Sequence, residues 1–135
     1  LADAKVAPEL ESEARHYRSK ALVEANQLAH AVADWEALAK DTRNVYGAEA
    51  KYRLAQYLFD CGKTKEAEQE VLNYLEVSTP HAYWLARSFV LLSDIYAKLD
   101  RKLEARQYLL SLKQNYQADD DIAGMIESRL ENLKE

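Results

Sequence analysis

Apolar residues recur at helical spacing along most of the chain, and polar or breaking residues divide the pattern into seven amphipathic segments. Pro8 suits a first helical turn, and the first segment runs from about Glu9 to Asn26 with Ala14, Tyr17, Ala21 and Leu22 inward. The second, Leu28 to Thr42, turns Val32, Ala33, Ala37 and Leu38 inward, and Tyr46-Gly47 is read as the break after it. The third, Ala48 to Cys61, has a broad apolar face of Tyr52, Leu54, Ala55, Leu58 and Phe59 and ends at Gly62. The fourth, Thr64 to Glu76, carries Ala67, Val71, Leu72 and Leu75. Ser78-Thr79-Pro80 then stops one helix and caps the next. The fifth runs from His81 to Leu99, and the sixth from Lys102 to Asn115 with Ala105, Leu109, Leu110 and Leu112 inward. Asp119, Asp120 and Asp121 favour a helix start by capping and by complementing its dipole. Ile122, Met125, Ile126, Leu130 and Leu133 follow as one stripe among Glu127, Arg129, Glu131 and Lys134. One apolar and one solvated face suit the end of a stack of helices.

The segments repeat. Ala21, Ala55 and Ser93 are separated by 34 and 38 residues, as are Ala33, Ala67 and Ala105, and Leu38, Leu72 and Leu110. Leu54 with Leu92, and Gly62 with Asp100, keep the second interval. Small residues at a fixed period are what antiparallel helices need where they cross, because larger side chains hold the backbones apart. The reading is a single domain of helix pairs over about 14-47, 48-85 and 86-118, closed by a capping helix over about 119-135. The longer second interval is read as one extra helical turn at Ala82 to Leu85.

On these residues the chain resembles the tetratricopeptide repeat family. The middle unit carries it best, with Leu54, Ala55, Leu58, Gly62, Ala67, Val71 and Pro80 in the family's order; the first unit has Lys20, Glu24 and Leu28 where the consensus has Leu, Tyr and Gly. The resemblance implies an all-α fold, a right-handed α-α superhelix of three such helix pairs plus a C-terminal capping helix. The stretch from STPHAYWLARSFVLLSDIYA onward, with the preceding YGAEAKYRLAQYLFD, is also similar to the C-terminal end of large Gram-negative cell-envelope repeat proteins. That implies a periplasmic or outer-membrane-associated site of action, with the cytoplasm as the alternative. Because the chain opens at Leu1, preceding repeats of the same polypeptide are expected.

Composition narrows the chemistry. A net charge of -5 argues against a nucleic-acid partner, since that affinity rests on clustered Lys and Arg. No apolar run is long enough to span a bilayer. The single cysteine, Cys61, is expected as a small buried residue, and its place at a helix C-terminus disfavours a thiolate. His16, His30 and His81 are too dispersed for a helical zinc motif, and the aspartate run lacks the alternating ligands and glycine of a calcium loop. No catalytic residue, metal or cofactor is therefore expected.

What remains is binding. In stacked helix pairs the first helices line a concave face, where the register puts Arg15, Arg18, Leu22, Tyr52, Gln56, Phe59, Arg87, Val90, Asp94 and Lys98. The arginines suggest a protein or extended peptide with acidic groups. Tyr83 and Trp84 could form an aromatic platform. The leading expectation is a scaffold that binds a partner in this groove. The competing one is the terminal structural portion of a longer solenoid, or a self-association module, with no separate ligand.

Overall fold

A computed structural model describes residues 8–76 and 80–133. Among these residues the chain is helical with no strand: α1 (Pro8–Glu24), α2 (Leu28–Leu38), α3 (Val45–Asp60), α4 (Thr64–Glu76), α5 (Ala82–Lys98), α6 (Lys102–Asn115) and α7 (Ile122–Asn132). Each helix packs on its neighbours in sequence. In addition α1 touches α3, α3 touches α5 and α5 touches α7, whereas α2, α4 and α6 do not meet one another. The odd helices thus form one layer and the even helices the other, in three stacked hairpins closed by α7.

The turns within the hairpins fix the repeat. Asn26, Gly62 and Asp100 each adopt a left-handed backbone, at φ 62, 83 and 64°. After each, an amide returns to the last helical turn: Gln27 to the Leu22 carbonyl at 2.8 Å, Lys63 to Leu58 at 2.9 Å and Arg101 to Tyr96 at 2.8 Å. This bond pattern satisfies carbonyls that a helix end leaves open. The intervals between these turns are 36 and 38 residues, so the first interval is two residues longer than the alanine spacing suggested.

In this register Ser19, Ala55 and Ser93 are equivalent and buried, as are Ala31, Ala67 and Ala105, all three fully buried. Trp35, Val71 and Leu109 form another buried set, and so do Leu38, Tyr74 and Leu112. Ala21 and Ala33, on which the 34-residue spacing rested, are exposed. So are Ala14 and Tyr17, expected inward on α1, and Leu110 on α6. The hydroxyls of Ser19 and Ser93 donate to the carbonyls of His16 (2.6 Å) and Val90 (2.7 Å), so serine can fill a buried crossing without an unmet polar group.

Two boundaries also move. The α2 helix stops at Leu38 and α3 starts at Val45, because the Asn44 side chain caps it by accepting the Tyr46 amide at 2.8 Å. Gly47 is accordingly inside the helix. It is glycine because a Cβ there would lie 1.9 Å from the Asp41 carbonyl oxygen in the preceding loop. The Ala82 to Leu85 stretch adds no turn: α5 is 17 residues long and α3 is 16, while α4 exceeds α2 by 13 to 11. The Ser78-Thr79 cap falls outside the described residues. Cys61 is exposed rather than buried, since the C-cap of α3 carries it out of the hairpin.

At the closed end, Ile122 and Ile126 of α7 bury against Ala86, Val90, Leu109 and Leu112. The Arg129 guanidinium donates to both Asp94 carboxylate oxygens at 3.1 Å, tying α7 to α5. Within the aspartate run, Asp120 accepts the Ile122 amide at 2.9 Å and Asp121 accepts the Tyr83 hydroxyl at 2.9 Å. No helix among the described residues is long and apolar enough to cross a membrane.

Candidate interaction surface

The residues expected in the groove divide between several environments. Arg15 and Arg18 turn toward α2, where Asp34 is buried at 1% exposure. Arg18 Nε donates to Asp34 Oδ2 at 2.9 Å, its Nη2 donates to Oδ1, and Arg15 lies 3.7 Å from the same carboxylate. The hydrogen bonds from Arg18 to Asp34, and then the attraction of that carboxylate, raise the guanidinium's pKa further. The repeat register explains the placement. Arg15 and Asp34 are equivalent to Lys51 and Glu70, which pair at 2.8 Å, and to Phe89 and Tyr108, whose ring centroids are 6.0 Å apart. One contact between the two helices of a hairpin is therefore made twice by opposite charges and once by aromatic rings. Arg18 stands where the later hairpins have the buried leucines Leu54 and Leu92.

Tyr52 and Val90 are buried, and Leu22 and Phe59 are half-buried against the core. Asp94 is held by Arg129, while Lys98 is exposed. Arg87 is enclosed by rings: its guanidinium carbon lies 4.9 Å from the Tyr52 centroid and 5.8 Å from those of Tyr83 and Trp84. It donates to the Tyr83 hydroxyl at 2.9 Å and to the Tyr52 hydroxyl at 3.1 Å. Tyr83 in turn donates a hydrogen bond from its hydroxyl to Asp121, and burial before anything else raises its hydroxyl pKa. Tyr83 and Trp84 thus form a partly buried brace between α3, α5 and the start of α7, in which cation–π contact and hydrogen bonds act together.

Gln56 is the expected residue that reaches an open cleft. This cleft, about 310 Å³, lies between the C-terminal halves of α1 and α3, with α2 beneath. Trp35 and Tyr57 supply aromatic surface, 6.4 Å between centroids and edge-on, and Val23 and Leu28 add aliphatic surface. Around it stand the charged residues Lys20, Glu24, Glu49, Arg53 and Asp60, with Ser19 and Gln56. Arg53 donates to Glu49 at 3.1 Å, and its guanidinium lies 5.7 Å from the Trp84 centroid. Gln56 accepts the Tyr52 hydroxyl at 2.9 Å and donates to Asp60 at 2.8 Å. An apolar lining with a few fixed polar groups is the usual character of a site that takes a side chain.

His16 sits above this arrangement, buried against Tyr46 with ring centroids 4.4 Å apart and its Nδ1 4.0 Å from Glu49. Burial lowers its pKa, opposed by the Glu49 charge. His30 is on α2, and His81 precedes α5, where its Nε2 donates to the Arg43 carbonyl at 2.8 Å.

Lys20, Val23, Glu24, Trp35, Tyr57 and Asp60 were not among the expected binding residues. The signal for them is the turn register: Asn26, Gly62 and Asp100 align Lys20 with Gln56 and Asp94, and Glu24 with Asp60 and Lys98. Comparison with known protein families, with curated proteins and with solved structures finds no match to this chain.

Proposed function

We propose that the chain is a protein–protein interaction scaffold that takes an extended segment of its partner across the odd-helix face, one apolar or aromatic side chain entering the cleft between α1 and α3. The observation that carries this reading is the cleft itself, where Trp35, Tyr57, Val23 and Leu28 sit among polar side chains already oriented by hydrogen bonds. Preordered groups of this kind lower the entropy lost on binding. Arg15, Arg18 and Arg87, on which an acidic partner was expected, are engaged by Asp34 and by tyrosine hydroxyls. Three carboxylates against two cations at the cleft also give no preference for an acidic ligand. Recognition is therefore assigned to the apolar anchor. The tetratricopeptide resemblance supports a helical-repeat scaffold, and the envelope resemblance supports a periplasmic or outer-membrane-associated location.

Selection of peptides from a random library on the 135-residue chain tests the proposal. Val23 is 41% exposed, so Val23→Lys places a charge in the cleft with little effect on folding. Peptides selected by the native chain should carry a large apolar residue and bind this variant at least about tenfold more weakly, a loss of about 1.4 kcal/mol. Equal binding to both proteins, or no selected peptide, would sink the idea.

A further inference from the structure

The helices that form the cleft end on charges opposed to their own dipoles. Glu24 is the last residue of α1 and Asp60 the last of α3, and both are exposed at the rim of the cleft. A helix C-terminus carries partial negative charge and is stabilised by a cation in its last turn. Neither α1 nor α3 has a basic residue there, whereas α5 has Lys98, the register equivalent of Glu24 and Asp60. The first two hairpins thus put a carboxylate where the third puts an ammonium. Asp60 stays exposed although a hairpin packs before it, so this position is open within the body of the stack.

The cations at the cleft do not offset this charge. Arg53 donates to Glu49 at 3.1 Å, and those two charges cancel. Lys20 lies 5.8 Å from the Tyr17 ring centroid, and Asp60 accepts the neutral Gln56 amide at 2.8 Å. Neither Glu24 nor Asp60 forms a salt bridge with another described residue. Two carboxylates and two helix C-termini are therefore set against one lysine. We propose that the segment bound across the odd-helix face carries a lysine or arginine within about two residues of its apolar anchor, and that this cation meets Glu24 and Asp60. In extended chain two residues span roughly 7 Å, and the aliphatic stem of either side chain supplies further reach along the apolar lining. The cation gives α1 and α3 the partner that Lys98 gives α5. This assignment rests on the cleft taking an apolar side chain, and adds the charge of that side chain's neighbour.

Peptides selected from a random library on the native chain should carry Lys or Arg within about two positions of the large apolar residue. The variant Glu24→Gln/Asp60→Asn, with an unchanged helical circular-dichroism spectrum, should bind those peptides about three- to tenfold more weakly, since two exposed ion pairs are lost. Raising sodium chloride from about 50 to 500 mM should erase most of that difference. Selection on Glu24→Lys/Asp60→Lys should keep the apolar anchor and return acidic neighbours in place of basic ones. Peptides that are weakened by Val23→Lys but lack a basic neighbour, or that bind Glu24→Gln/Asp60→Asn as well as the native chain, would overturn the cation while leaving the cleft in place. If no selected peptide is weakened by Val23→Lys, the cleft itself is refuted and the cation with it.

Discussion

Replacing Arg18 with leucine tests whether the first hairpin is held by the Asp34 ion pair. Asp34 is 1% exposed and accepts the Arg18 Nε–H, shared between its two oxygens, and a second hydrogen bond from Nη2. Removing one partner of an enclosed pair costs about 3–5 kcal/mol, because the other charge is left without compensation. Two features reduce that figure here. Arg15 remains 3.7 Å from the carboxylate, and the Arg18 side chain is 61% exposed, so its own attraction is partly screened by water. The expected loss is about 2–3 kcal/mol. For a chain of this length the unfolding entropy is about 0.28 kcal/mol/K, which places the melting temperature about 7–11 °C lower. The third hairpin supplies the compensating change, since Leu92 and Tyr108 occupy the equivalent positions. Arg18→Leu/Asp34→Tyr should therefore recover to within about 1 kcal/mol of the native chain, as apolar replacements of buried pairs often do. Urea unfolding followed by circular dichroism measures both variants. A single variant within about 0.5 kcal/mol of native, or a double variant no more stable than the single, would refute the assigned repeat register and the role of the pair.

Gly47→Ala forces a Cβ to within 1.9 Å of the Asp41 carbonyl oxygen, and the loss should be about 3 kcal/mol or more by the same urea titration. Asp100→Gly should stabilise by about 0.5–1 kcal/mol, because φ is 64° there and glycine carries no penalty for a left-handed backbone. Gly62→Ala, at φ 83°, should cost about 1 kcal/mol for the same reason. His16 is held below its usual pKa of 6.5 by burial, so the unfolded chain binds its proton first as pH falls. Its contribution to stability is complete above about pH 7.5 and declines as pH drops through 6.5 toward the lowered folded value. His16→Phe should flatten the fall in melting temperature between about pH 7.5 and 5.5; an unchanged slope would contradict the burial of a neutral imidazole.

The sequence by itself determined the all-helical class, the helix order and most of the core, because helical spacing of apolar residues is a local signal. Ala55, Ala67, Val71, Ser93, Ala105, Leu109, Ile122 and Ile126 are buried as that spacing requires. It also placed the Gly62 turn and its equivalence with Asp100. The first hairpin was misaligned by two residues for a physical reason. In α1 both alanines, Ala14 and Ala21, are exposed, and serine at position 19 fills the crossing by returning its hydroxyl to the His16 carbonyl. Composition does not separate these cases; the left-handed turn at Asn26 does. The candidate site was less legible, because a groove residue is defined by what its long side chain reaches. Only packing decided that Arg18 turns to Asp34, that Arg87 is enclosed by three rings, and that Trp35 and Tyr57 meet beneath a cleft between helices far apart in sequence.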